Sequence, residues 1–232
     1  MRINYIELEN TLPNVFLNEK IPPSEIWRKR VRFERGGRYL VEAASGTGKS
    51  SLCAYVFGAR TDFDGDILFG IAEGKSDSDS SPKPGKSLDI RRIKPEEWQK
   101  IRRENIAYLP QELALFPELT AIQNIRLKNN LTGYVAEEQI AEWLARLGID
   151  SRADYPVGKM SIGQQQRVAI IRSICQPFDF LILDEPVSHL DEENNRIAAA
   201  ILESEARRNG AAIIATSVGN PLMLENQTLM RL

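Results

Sequence analysis

The 232-residue sequence contains two cysteines and one histidine. Cys53 and Cys175 lie far apart and form no CxxC pair, which excludes a disulfide framework and a cysteine zinc site. Both read as small buried hydrophobes. Long hydrophobic runs are also missing: stretches such as AAIIATSV fall well short of the ~20 residues that a membrane span needs. The first ten residues, MRINYIELEN, carry glutamates where a signal peptide has its apolar core, so a cytoplasmic chain without its own membrane anchor is expected. Nor is there an excess of either charge. Thirty basic and 32 acidic side chains give a net charge of −2, and no global charge points to nucleic acid. A hydrophobic content of 42% beside 27% charged residues is ordinary for a globular protein, and the length allows one sizeable domain with a subdomain.

What is present alternates. RINYIEL has the period of a half-buried strand, and VRFERGGRYLVEA reads as strand, Gly-Gly turn, strand. KSSLCAYVFG has helical spacing and stops at Gly58; DFDGDILFG predicts a hairpin about its Asp-Gly pair. Residues 74–89, GKSDSDSSPKPGKSLD, cannot build a core and read as a flexible surface insertion. RIKPEEWQKIRRE follows as a charged helix and NIAYLPQ as a strand with a loop. VAEEQIAEWLARLGI puts Val135, Ile140, Trp143, Leu144 and Leu147 on one helical face and stops at Gly148. GQQQRVAIIRSIC is another amphipathic helix. FDFLILDE is an apolar run ended by two acids, the pattern of a central parallel strand, and AAIIATS is a second buried strand. Between these two lies the helix ENNRIAAAILESEARR, and QTLMRL is a short last strand. The expectation is a single α/β domain over 1–232, with a core of 1–111 and 161–232 and a helical subdomain inserted at 112–160.

The stretch EAASGTGKSS carries the first chemical signal. A loop between a strand and a helix, ending in Gly-Lys-Ser, can wrap backbone N–H groups around phosphates. The candidate phosphate-binding residues are Ala43, Ala44, Ser45, Gly46, Thr47, Gly48, Lys49, Ser50 and Ser51. Gly46 and Gly48 let the backbone approach, Lys49 reaches the β and γ phosphates, and Ser50 is a Mg²⁺ ligand. Ala43 stands where GxxxxGK[ST] has its first glycine; a methyl is tolerated there if φ is negative. The strand FLILDE supplies the second signal: Asp184 sits where such a site holds Mg²⁺, and Glu185 can activate a water against the γ-phosphate.

In chain order, ASGTGKSS, YLPQELALFPELT, MSIGQQQR and LILDEPVSHLD resemble the motifs of ATP-binding-cassette (ABC) ATPases, over nearly the entire chain. LFPELTAIQNI is most similar to the lipoprotein-release, macrolide-efflux and cell-division group. The resemblance implies a phosphate-loop NTPase core with a small antiparallel β subdomain and an inserted helical subdomain. It also implies ATP and Mg²⁺ as cofactors and a head-to-tail dimer, with itself or with a related ATPase. A separate transmembrane permease is implied as partner, as is a location peripheral to the inner face of the membrane.

Residue by residue, the resemblance assigns Gln111 to the glutamine that touches Mg²⁺ or the attacking water. It assigns Ser161, Gly163 and Gln164 to the signature that meets the partner's γ-phosphate. The signature's SGGQ reads here Ser161-Ile162-Gly163-Gln164, and β-branched Ile162 would be strained if that position required a positive φ. Phe16 is the nearest match for the aromatic that stacks on adenine, with a core or loop role as the alternative. His189 replaces the alanine of the SALD loop, and the three tryptophans read as packing residues. Ser217 stands in place of the histidine that contacts the γ-phosphate; it donates one hydrogen bond with shorter reach and no charge. An ATP-hydrolysing transporter subunit is therefore expected, the alternative being a slow-hydrolysing ATP-dependent clamp or regulatory module. DNA-repair ABC ATPases carry long coiled-coil or zinc insertions, which this sequence lacks.

Overall fold

A computed structural model describes residues 1–19, 23–71 and 86–232. Along the chain run β1 (Ile3–Pro13), β2 (Arg30–Glu34), β3 (Arg38–Glu42), α1 (Lys49–Val56), β4 (Phe63–Ile71), β5 (Lys86–Asp89), α2 (Pro95–Glu104) and β6 (Ile106–Leu109). There follow α3 (Ala121–Asn129), α4 (Glu137–Arg146), α5 (Ile162–Ser173), β7 (Phe180–Asp184), α6 (Glu192–Asn209), β8 (Ala212–Ser217) and β9 (Thr228–Arg231). Two sheets form: an antiparallel one in the order β2-β1-β4-β5 and a parallel one in the order β6-β7-β8-β3-β9.

The parallel sheet divides two hydrophobic cores, and the strand sequences explain why. Every residue of β7 and β8 is buried, so both faces must be apolar. Successive side chains point to opposite faces. Leu181, Leu183, Ile213 and Ala215 enter one core, beside Ile140 and Trp143 of α4 and Ile170 of α5. Phe180, Ile182, Ala212 and Ile214 enter the other, beside Leu52 and Tyr55 of α1 and Ile6, Phe33 and Phe69 of the antiparallel sheet. At the Gly36-Gly37 turn the chain leaves the antiparallel sheet through β2 and enters the parallel one through β3. Cys53 and Cys175 are buried and free, and burial pushes the Cys175 thiol up to about 12.

Two expectations are corrected. The Asp64-Gly65 pair does not turn a hairpin: β4 runs straight through it and pairs with β1 from Ile3↔Ile71 to Pro13↔Phe63. Gly65, at φ +81°, sits at a register irregularity between Glu9 and Leu12, and a Cβ there would lie 2.4 Å from the Asn10 carbonyl oxygen. The glycine thus serves a bulge rather than a turn. The expected flexible insertion at 74–89 is too long at its end, because Lys86–Asp89 form edge strand β5 against β4, with Leu88 against the core. Residues 74–85 of that insertion lie outside the described residues.

The expected helical face at 135–147 is buried as a stripe of Val135, Ile140, Trp143, Leu144 and Leu147. α3 begins with a capping box, Thr120 accepting from the Gln123 amide while Gln123 accepts from that of Thr120. Among the described residues no helix is long and apolar enough to cross a membrane.

Candidate functional site

The loop after β3 is shaped by its two glycines. Gly46 and Gly48 have φ of +82° and +99°, a region open to glycine and strained for other residues. Ala43 is not in that region, so the methyl at this position meets no backbone penalty. Gly48 caps α1 without a side chain, leaving the first amides of the helix available to an anion. A Cβ on Gly48 would lie 3.0 Å from the Trp27 ring and 3.2 Å from that of Phe16.

That contact reveals a residue whose role the sequence did not disclose. Trp27 is 3% exposed, and its indole N–H donates to the Thr47 carbonyl at 2.9 Å. Trp27 therefore holds the phosphate-loop backbone directly. Its only sequence signal was a tryptophan in an otherwise polar segment ahead of β2.

Lys49 opens α1 but its ammonium folds back across the loop, donating to the carbonyls of Ala44 at 2.9 Å and Ala43 at 3.4 Å. It lies 3.8 Å from the Glu185 carboxylate. A cleft of about 300 Å³ forms around this pair, lined by Phe16, Ser45, Gly46, Gly48, Lys49, Ser50, Ser51, Gln111 and Glu185. Ser50 Oγ and Gln111 Oε1 approach to 3.5 Å across it. Phe16, in a short 3₁₀ turn after β1, forms the wall beside Gly48. A second cavity of about 310 Å³ lies by the start of β3, but its Arg207 is already paired with Glu203 and Glu225 at 3.4 Å each. Its other arginine, Arg38, lies 4.0 Å from the same Glu203, so both cations there face a carboxylate.

The far wall is made by Glu185, the residue that follows β7. Asp184 is 1% exposed and accepts a 2.7 Å bond from the Thr216 hydroxyl, which in turn accepts from the Glu185 amide at 3.2 Å. Glu185 itself has φ +50°, a left-handed backbone that costs a non-glycine residue about 1–3 kcal/mol and clusters at functional sites. Ser217 is 2% exposed; its hydroxyl has no hydrogen-bond partner among the described residues, and its carbonyl accepts from the Ala43 amide. Neither Ser217 nor Asp184 lines the cleft.

Ser161, Ile162, Gly163 and Gln164 lie away from this cleft, at the start of α5. Ser161 and Gln164 form a capping box at that helix end. Ile162 is the first helical residue, half exposed and not at positive φ, so the strain expected of a β-branched residue does not arise. Gly163 is the position that needs a glycine: a Cβ there would lie 2.9 Å from the His189 carbonyl oxygen. His189 is exposed, and its Nδ1 lies 3.0 Å from Ser188 Oγ. A lysine among backbone amides, a carboxylate facing it and a hydroxyl–amide oxygen pair form a set suited to a polyphosphate with a hard cation.

The sequence profile described as "ABC transporter" matches residues 29–188. The macrolide export ATP-binding/permease protein MacB of Salmonella typhi is 34% identical over 131 residues, covering 55% of this chain and 20% of that protein. The phosphonates import ATP-binding protein PhnC 2 of Pseudomonas aeruginosa is 30% identical over 203 residues, 82% of this chain and 68% of that protein. Among solved structures, the dimeric bacterial ABC transporter cassette MJ0796 superposes with a TM-score of 0.74 at 21% identity, over 97% of this chain and 94% of that one. The chain thus spans a fifth of the length of the macrolide exporter but most of the phosphonate-import subunit. Profile, relatives and fold agree, and this chain belongs to the ABC transporter ATP-binding family.

Proposed function

We propose that the chain binds and hydrolyses ATP and pairs with a second ATPase domain, its own copy or a related one, to drive a separate transmembrane partner. The observation that carries this reading is the apposition of Lys49 and Glu185 at 3.8 Å across one cleft walled by the phosphate loop. Loop amides and Lys49 hold the β and γ phosphates, while Phe16 offers a face for the base. Glu185 accepts a proton from the attacking water. Ser50 and Gln111 line the cleft and would hold Mg²⁺ by their oxygens, with the buried Asp184 carboxylate as a further donor; when bound the ion supplies charge stabilisation at the phosphates.

The signature residues Ser161, Gly163 and Gln164 lie outside the cleft of their own chain, which supports a site completed by a second subunit. In that pairing the α5 N-terminus faces the partner's γ-phosphate. The 1–111 and 161–232 segments form the core and 112–160 the helical subdomain that meets the permease. Relatives named for macrolide export and phosphonates import support action at the inner membrane face.

The test is MgATP hydrolysis by the wild type, with Glu185→Gln run by size-exclusion chromatography in MgATP. Turnover in the wild type and an ATP-dependent dimer without turnover in the variant are expected. Wild-type protein that neither binds nor hydrolyses MgATP overturns the reading.

A further inference from the structure

Among the described residues, six non-glycine residues have a left-handed backbone: Asn10, Arg28, Leu113, Ala114, Glu185 and Asn226. Three of them stand in the loops that border the cleft, Leu113 and Ala114 just after Gln111, and Glu185 itself. In all three the carbonyl is held by a side chain of α5. Gln166 Nε2 donates to the Glu185 carbonyl at 3.1 Å. Arg172 donates to the carbonyls of Leu113 and Ala114, at 2.8 Å each.

Gln166 is the more committed of the two holders. It is 1% exposed. Its Nε2 also donates to Ser188 Oγ at 3.2 Å, and its Oε1 accepts the His189 amide at 3.0 Å. One buried amide thus spans the turn from the carboxylate to His189, and the close approach of Gly163 to the His189 carbonyl seats the first turn of α5 on the same segment. Gln166 does not line the nucleotide cleft.

We propose that Gln166 is a positioning residue for Glu185. It ties the backbone of the carboxylate to the helix whose N-terminus carries Ser161, so that a displacement of the α5 N-terminus moves the base of the same chain. A ligand phosphate drawn to that helix end from a partner's site would therefore be sensed at this chain's own carboxylate. The inference rests on the ATPase reading given above and deepens it by adding regulation.

The experiment replaces Gln166 by Met, which keeps length and volume but makes none of the three hydrogen bonds. Hydrogen exchange of the backbone amides in 185–190 (Pro186 has none) is measured together with steady-state ATPase. Losing a bond to a strained, buried backbone should speed exchange in 185–190 by roughly tenfold and lower kcat by a similar factor. KM for ATP should change less than about twofold, because a lost transition-state arrangement acts on kcat. If Gln166→Met does not fold, Gln166→Asn, which keeps the amide but falls one methylene short, is read in the same way.

Unchanged exchange at 185–190 overturns the proposal, as does faster exchange with unchanged kcat, or a loss spread equally over kcat and KM. A wild type that does not hydrolyse ATP overturns the ATPase reading instead, and the exchange measurement then decides this inference alone.

Discussion

The cleft has two halves, and each departs from the expected pattern, with different consequences. In the phosphate-binding half Ala43 replaces a glycine whose only task is a turn. Its backbone is not left-handed, and its carbonyl still accepts from Lys49. In the proposed hydrolytic half Ser217 stands where the resemblance to ABC ATPases implies a histidine that reaches a phosphate. The serine is buried, its hydroxyl is unpartnered, and it does not line the cleft. A substitution at a backbone position is judged by φ, and one at a polar position by reach. By those criteria the first half is intact and the second is altered.

The sharpest way to test that the binding half is intact is Lys49→Ala. It removes the one ammonium placed among the loop carbonyls, and MgATP affinity should fall about 100-fold, as for the loss of charge-assisted hydrogen bonds. Unchanged affinity by calorimetry would break the comparison at its stronger side. Gly48→Ala comes next. At φ +99° and 3.0 Å from the Trp27 ring the new methyl is both strained and crowded, a cost of about 1–3 kcal/mol. ATP affinity should drop roughly tenfold, because the strain falls on the loop whose amides bind; an unchanged Kd would show that the loop reshapes freely.

Ser217 probes the other half, with smaller effects. Ser217→His should raise kcat several-fold (about 1 kcal/mol off the barrier) if the restored ring reaches the phosphate. Overpacking at this buried position should cost about 1–3 kcal/mol of stability. Ser217→Ala should leave kcat as it is, and the melting temperature should hold or rise slightly, since an unpartnered buried hydroxyl contributes little. A tenfold drop in kcat for Ser217→Ala would mean that the serine does reach the nucleotide, and the two halves would then differ less than their geometry implies.

Much of this was legible in the chain itself. β7 and β8 announce themselves as unbroken apolar runs because a strand covered on both faces has no polar positions to spare. The phosphate loop was legible because its chemistry sits on consecutive residues. What was hidden depended on partners distant in sequence. Gly65 reads as a hairpin turn until β1, some 55 residues upstream, supplies the ladder that runs through it. Lys86–Asp89 are polar enough to pass for insertion, and only the exposed edge of β4 makes a strand of them. Within GQQQR three glutamines look alike, and burial alone singles out Gln166. Trp27 read as packing because nothing near it in sequence marks Thr47 as its acceptor.

That indole has an optical consequence. Of the three tryptophans, Trp143 is sealed among the helices and Trp98 stacks edge-on to Phe69, whereas Trp27 alone is bonded to the phosphate loop. The chain therefore carries a native fluorophore whose indole lies against the Thr47 peptide of that loop. With Trp98 and Trp143 changed to Phe, the remaining emission would follow loop occupancy in real time, without a dye or a labelled nucleotide. Titration with ATP should shift its intensity or wavelength, and the signal should vanish in Trp27→Phe.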